Sequence, residues 1–169
     1  MMSNKYMQQH RILGIDPGYG RTGWGVIEGN KSTWAHVAHG CLETSVEDPF
    51  VERLKEIQKM LRAIIQEYAP AQAAVEELFF YKNVKTAIKV GQARGVILLT
   101  LADAGLPIGE YTPLEVKQTI TGYGRADKRQ LTTLIRHELH LKTDPTPDDA
   151  ADALAIALAH AYITRLGCG

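Results

Sequence analysis

Ile12-Leu13-Gly14-Ile15-Asp16-Pro17-Gly18, then after three residues Thr22-Gly23-Trp24-Gly25-Val26-Ile27-Glu28, is the stretch on which the architecture turns. The first run is an apolar strand that begins at Arg11. Proline has no amide hydrogen and glycine tolerates positive φ, so Pro17-Gly18 ends the strand just past Asp16. The second run alternates, with Trp24 and Val26 on one face and Gly23, Gly25 and Ile27 on the other, which is the period of a strand. Gly29-Asn30 reads as a turn, and residues 32–42 as a third strand returning antiparallel. The expectation is a meander whose first strand carries an acid at its carboxyl end.

Outward from there the chain alternates helices and strands. Leu54, Ile57, Leu61, Ile64, Ile65 and Tyr68 form one apolar stripe, with Asp48 before Pro49 as the predicted N-cap and Pro70 as the stop. Residues 71–76 are a short buried strand ending in Glu76-Glu77. Residues 84–104 read as a long helix and 107–111 as a fifth strand. Thr112-Pro113-Leu114-Glu115 is a capping box that opens the next helix. Residues 127–141 form another, and the last begins at Thr146-Pro147-Asp148-Asp149 and runs to about Leu166. A polar tail (1–10) therefore precedes a single α/β domain (11–166). Its mixed five-stranded sheet carries helices on both faces, with right-handed crossovers.

The 169 residues are 45% hydrophobic and 22% charged, which suits one globular core and argues against disorder. No apolar run approaches the ~20 residues of a membrane span; the longest, Val96 to Ala102, is interrupted by Thr100. Met1 to Arg11 lacks an apolar core, so no secretion signal is read. Cys41 and Cys168 make neither a disulfide framework nor a metal knuckle, and a cytoplasmic location is expected. Nineteen basic side chains balance nineteen acidic ones, which at first speaks against a nucleic-acid binder. The balance is uneven along the chain, however: residues 82–142 hold ten basic and five acidic side chains.

Four acids carry the candidate chemistry. If the strands ending at Asp16 and Glu76 are parallel neighbours, both carboxylates emerge at the carboxyl edge of the sheet, where α/β sites form. Asp149 and Asp152 are three apart on the last helix, about 5–6 Å from one another on one face. That face continues through Ala153, Ile156 and Ala157, so it packs on the sheet, and acids there are costly unless a cation neutralises them. Oxygen-only ligands suit Mg²⁺ or Mn²⁺, and two such ions about 3.5–4 Å apart activate water against a phosphodiester. The plainer readings stay open at this point: Asp149 as a capping-box acid, Asp16-Pro17-Gly18 as a turn, Glu76 as a strand-end acid.

Two basic groups follow, Lys82, Lys85, Lys89 and Arg94, and then Arg125, Lys128, Arg129 and Arg136. Such groups bind phosphates with steep salt dependence, or simply solvate a helix face. Phe79, Phe80 and Tyr81 are candidates to stack on an unpaired base or to fill the core. His137 and His140 lack further ligands nearby and read as an exposed helix face rather than a zinc pair. The helix at 84–104 has more apolar and small residues than one core stripe needs, which is compatible with a two-fold dimer interface.

Together these blocks resemble the RuvC family of Holliday-junction resolvases. Gly14-Ile15-Asp16-Pro17-Gly18 with Thr22-Gly23-Trp24-Gly25-Val26-Ile27 resembles the family's opening. Ala74-Val75-Glu76-Glu77-Leu78-Phe79 is similar to its second motif, and Gly91-Gln92-Ala93-Arg94-Gly95-Val96 to its third. Val116-Lys117-Gln118-Thr119 and Asp149-Ala150-Ala151-Asp152-Ala153-Leu154-Ala155-Ile156-Ala157 resemble the closing blocks, in family order over residues 11–163. The resemblance implies an RNase H-like fold, a homodimer, and partnership with the RuvA–RuvB branch-migration complex. It also implies Mg²⁺-dependent paired nicking of opposed strands at a four-way DNA junction in recombination and repair, leaving a 5′-phosphate.

The family's catalytic acids fall on Asp16, Glu76, Asp149 and Asp152, its junction-contacting aromatic on Phe79, and its functional lysines on Lys117 and Lys128. The expected division of roles has Asp16 between two ions, Glu76 and Asp152 holding one and Asp149 the other, with Lys128 stabilising charge on the phosphate. DNA contacts are expected from Phe79, Lys82, Lys85, Lys89, Arg94, Lys117, Arg125, Lys128 and Arg129. Tyr19-Gly20 replaces the polar pair common in the family, and Glu77 and Asp148 are additional acids beside two ligands. The competing readings are a non-catalytic DNA-structure binder, another RNase H-like nuclease, and one half of a two-domain ATPase, of which 169 residues supply too little.

Overall fold

The strand–turn–strand opening folds as its alternation dictates. A computed structural model describes residues 10–30, 32–77 and 83–166. Strands β1 (His10–Asp16), β2 (Arg21–Gly29) and β3 (Trp34–Glu43) form the meander. Helix α1 (Phe50–Tyr68), β4 (Gln72–Glu76), α2 (Val84–Asp103) and β5 (Ile108–Tyr111) follow, and then α3 (Pro113–Thr121), α4 (Lys128–Glu138) and α5 (Asp148–Leu166). The sheet order is β3-β2-β1-β4-β5. The meander pairs antiparallel, whereas β1–β4 and β4–β5 pair parallel. Among the described residues no helix is long and apolar enough to cross a membrane.

Three local expectations shift. Asp48 is not the N-cap of α1: Pro49 is, with φ −54° and ψ 142° and no side-chain cap bond. The reason is a turn built on Ser45, whose carbonyl accepts the Asp48 N–H and whose hydroxyl accepts the Glu47 N–H, which leaves the Pro49 carbonyl to accept the first helical N–H, from Arg53. Strand β3 starts at Trp34 rather than 32, because the Asn30 side chain holds the Ser32 N–H and extends the turn. Gly18 does not use positive φ; among the described glycines that conformation belongs to Gly105 and Gly122. Gly18 is needed for space instead, since a Cβ there would collide with the Arg21 carbonyl.

Helices cover both faces, by different means. On one face α1 and α2 bury Ile57, Leu61, Ile97 and Leu101 against Leu13, Ile15, Val26 and Val75. On the other, α3, α4 and α5 enclose a core of Val116, Leu131, Ile135, Leu154, Ile156 and Leu158 with Ile12 and Ile27. Helix α5 is the centre of that second layer and is buried almost all round from Ala150 to Ala161. It lies directly on β1 and β2 because the strands offer it glycine. A Cβ on Gly14 would collide with the Ala153 carbonyl and stand 2.7 Å from the Ala157 nitrogen. One on Gly23 would collide with the Asp149 carbonyl, and one on Gly25 would stand 2.7 Å from the Leu154 side chain. Alanine on the helix and glycine on the strands bring backbone to backbone, and the register of α5 is set by that contact.

Candidate active site

The parallel ladder aligns Ile15 with Val75, so Asp16 and Glu76 leave adjacent strands side by side at the carboxyl edge. Antiparallel pairing sets Gly23 opposite Asp16, and Gly23 is where the first turn of α5 rests. Seated there, α5 delivers Asp149 and Asp152 to the same edge. Acids from three separate segments of the chain thus share one field. Burial pushes the Asp16 carboxyl up to about 8, reinforced by Glu76, Asp152 and Asp149. Glu76 rises to about 7, through burial and then Asp152. Asp152 is also raised by burial, against the pull of Lys128. Desolvation and like charge both disfavour the ionised forms, and a cation placed among them would ease both.

Partial burial works against the Lys128 ammonium, but Asp152 and Asp148 outweigh it and raise its pKa. Its Nζ lies 3.2 Å from Asp148 Oδ2 and 3.3 Å from Asp152 Oδ2. The capping box of Asp127 and Gln130 fixes the start of α4 and hence where Lys128 leaves it. A cleft of about 220 Å³ runs beside these groups, lined by Glu76, Asp152, Lys117 and Lys128 among apolar residues including Val116 and Ile156. Lys117 on α3 and Lys128 on α4 therefore line the same cleft as Glu76 and Asp152.

The remaining expected contacts divide. Lys85, Arg125 and Arg129 are exposed. Lys89 is exposed as well, with its Nζ 5.6 Å from the Tyr19 ring centre and 5.5 Å from that of Phe50. Arg94 is engaged within the chain: its Nε donates to the Glu76 carbonyl at 3.0 Å and its guanidinium pairs with Glu110. That bond holds the end of β4 from α2. Phe79 and Lys82, with Phe80 and Tyr81, lie outside the described residues.

Two arginines were not anticipated. Arg21, the first residue of β2, sets Nε 3.0 Å from Asp149 Oδ2. The signal was present: Arg21 is two residues before Gly23, on the same strand face that receives α5. Arg53 is buried in α1, where its Nε donates to the Thr44 hydroxyl at 2.9 Å and its Nη2 to the Tyr19 carbonyl at 3.4 Å. Its guanidinium stacks 4.9 Å from the Tyr19 ring centre, so α1 braces the loop that follows Asp16. Nothing in the local sequence distinguished Arg53 from the solvated charges around it.

The RuvC family model, crossover junction endodeoxyribonuclease RuvC, matches residues 12–160. The chain belongs to the RuvC family. It is 57% identical over 152 residues to the crossover junction endodeoxyribonuclease RuvC of Chloroflexus aurantiacus, covering 90% of this chain and 93% of that one. It is 54% identical over 156 residues to the RuvC of Roseiflexus sp. (strain RS-1), covering 92% and 93%. Among solved structures, T. thermophilus RuvC in complex with a Holliday junction substrate superposes with a TM-score of 0.89 at 37% identity, covering 94% of this chain and 96% of that one. The fold is RNase H-like, as the motif order implied, and the activity is endonucleolytic cleavage of DNA at crossover junctions.

The carboxyl edge suits a divalent metal in two respects. Its donors are all carboxylate oxygens, the preference of hard cations, and its buried like charges are eased by one. Among the described residues, however, no three His, Cys, Asp or Glu side chains converge as a ready-made metal site. Asp149 is paired with Arg21 and Asp152 with Lys128. The donor chemistry and the raised carboxyls still fit a hard cation, because an aspartate carboxylate turns between staggered rotamers about two side-chain torsions at small cost.

Proposed function

We propose that Asp16, Glu76, Asp149 and Asp152 hold the divalent ions with which this RuvC protein resolves four-way junctions. The observation that carries the reading is the placement of Asp16 and Glu76 on parallel strands beneath the start of α5, where burial, reinforced by the neighbouring acids, drives Asp16 up to about 8. Mg²⁺ or Mn²⁺, two per site, would supply a nucleophilic water and stabilise the leaving oxygen. The chain's own contribution is orientation and charge. Asp16, at the end of a buried strand whose following loop Arg53 braces, would be the central ligand, and Glu76 and Asp152 on one side and Asp149 on the other would complete the set. Lys128 and Lys117 flank the cleft and would neutralise charge on the phosphate undergoing attack.

The junction itself has near two-fold symmetry, and a homodimer presents two such sites to opposed strands. The surface we assign to the dimer is the outer face of α2. Val84, Ile88 and Leu99 are 73%, 56% and 57% exposed there, and nothing stands within 4 Å of a Cβ built on Gly95. Leu99→Glu is expected to give a monomer in sedimentation at micromolar concentration. Lys85, Arg125 and Arg129 would meet phosphates, and Phe79 would stack on an unpaired base at the crossover. Action beside the RuvA–RuvB branch-migration complex in the cytoplasm belongs to the same reading.

The test is one incubation with Mg²⁺ or Mn²⁺ and three substrates: a four-way junction, a linear duplex and an RNA–DNA hybrid. Paired symmetric nicks confined to the junction are expected from the wild type. Asp16→Asn should retain junction binding and lose cleavage; wild-type turnover in that variant would overturn the assignment.

A further inference from the structure

We propose that Arg21 is a cationic latch on Asp149, competing with a divalent ion for that carboxylate and so setting how much ion the site needs to fill. The inference rests on the four-carboxylate reading above. Arg21 enters β2 on the face that carries α5, and its Nε lies 3.0 Å from Asp149 Oδ2. The same guanidinium has a second acid within reach: Nη2 lies 3.6 Å from Oε1 of Glu43, its cross-strand neighbour on β3. Arg21 thus stands between a carboxylate of the site and one outside it.

A guanidinium beside a metal-ligand carboxylate can act in two opposite ways. As a hydrogen-bond donor it orients the ligand and raises ion affinity. As a unit charge it opposes an incoming dication and lowers that affinity. The structure decides between them. The main chain and Cβ of Asp149 are set by β2 at Gly23, where there is no room for even a methyl group, which leaves Arg21 only two side-chain torsions to orient, about which a carboxylate turns at small cost. The orienting contribution is therefore small and the charge prevails. Both side chains are partly open to water, 51% and 35% exposed, so the competition is modest, on the order of five-fold in an equilibrium constant. Glu43 completes the device by receiving the guanidinium once an ion has taken Asp149.

Two readouts test this. One is Mn²⁺ uptake by metal-stripped protein without DNA, followed by electron paramagnetic resonance. The other is the Mg²⁺ concentration giving half-maximal single-turnover cleavage of a four-way junction. Arg21→Gln keeps a donor and removes the charge; it is expected to bind Mn²⁺ about five-fold more tightly and to cleave at correspondingly lower Mg²⁺. Arg21→Lys keeps the charge and should stay within about two-fold of wild type. Glu43→Gln removes the alternative partner and should raise the Mg²⁺ requirement by about two-fold. Equal or weaker Mn²⁺ uptake by Arg21→Gln overturns the latch, as does a lowered Mg²⁺ requirement in Glu43→Gln. Wild-type protein that takes up no Mn²⁺ and cleaves without any divalent ion overturns the four-carboxylate reading, and the latch with it.

Discussion

The two faces of the sheet are packed by opposite strategies. Beneath α1 and α2 the strands present Leu13, Ile15, Val26 and Val75, and the helices answer with Ile and Leu side chains of similar bulk. Beneath α5 the strands present Gly14, Gly23 and Gly25, and the helix answers with alanine and its own backbone. The first arrangement tolerates exchange among aliphatic side chains, because their volumes can be redistributed. The second leaves nothing to redistribute. It also places the acids of α5 to within the length of a side chain, which a layer of leucines about 10 Å thick would not. The face with least slack is the one that carries the four candidate acids.

The largest expected effect lies at that site. Asp16→Asn should reduce junction cleavage by about 10³-fold, the scale of losing a preorganised charge at a reacting group. The same variant should melt higher than wild type near pH 8 in metal-free buffer, since it removes a buried charge that Glu76, Asp152 and Asp149 all oppose. A lower melting temperature would contradict the unfavourable field at Asp16.

Next in size, Gly14→Ala should cost about 3 kcal/mol or more, read by chemical denaturation, because the methyl meets backbone atoms of Ala153 and Ala157 that cannot rotate away. On the opposite face Ile97→Val should cost about 1 kcal/mol. Equal costs for the two variants would break the contrast between the faces.

A smaller effect is a pH dependence. Asp16 and Glu76 have folded-state values of about 8 and 7, above their ordinary 3.8 and 4.5. The folded chain therefore binds more protons than the unfolded one between about pH 4 and pH 8. Metal-free stability is fullest below pH 4 as far as these groups are concerned, and is lost as pH rises through 7 and 8. Mg²⁺ or Mn²⁺ should flatten that loss, since the ion favours the ionised carboxylates. Melting curves at pH 5, 7 and 9 with and without Mn²⁺ check the sign. Stability rising across that range in metal-free buffer would contradict the shared field.

Much of the fold was legible because local rules were strong. The alternation from Thr22 to Glu28 specified a strand, and Thr112-Pro113-Leu114-Glu115 closes the capping box it spells. Asp48 misled because its role depended on Ser45, which formed a turn that periodicity does not register. At the site, the four acids stood at strand ends and on one helix face, where spacing finds them. Arg21 was marked only by sharing a strand face with Gly23, and Arg53 not at all, since a charged residue looks the same in sequence whether it faces water, an acid or an aromatic ring. Arg94 read as part of a basic run, yet it is bound to the Glu76 carbonyl and Glu110.

By itself, then, the sequence determined which side chains share a face and which acids were available, because strand and helix periodicities are properties of a few neighbouring residues. Which faces meet was decided only by tertiary structure. Nothing local required residues 149 and 152 to lie over 16 and 76. The glycines of β1 and β2 admitted the backbone of α5 where any larger residue would have excluded it, and that contact joined the two halves of the candidate site.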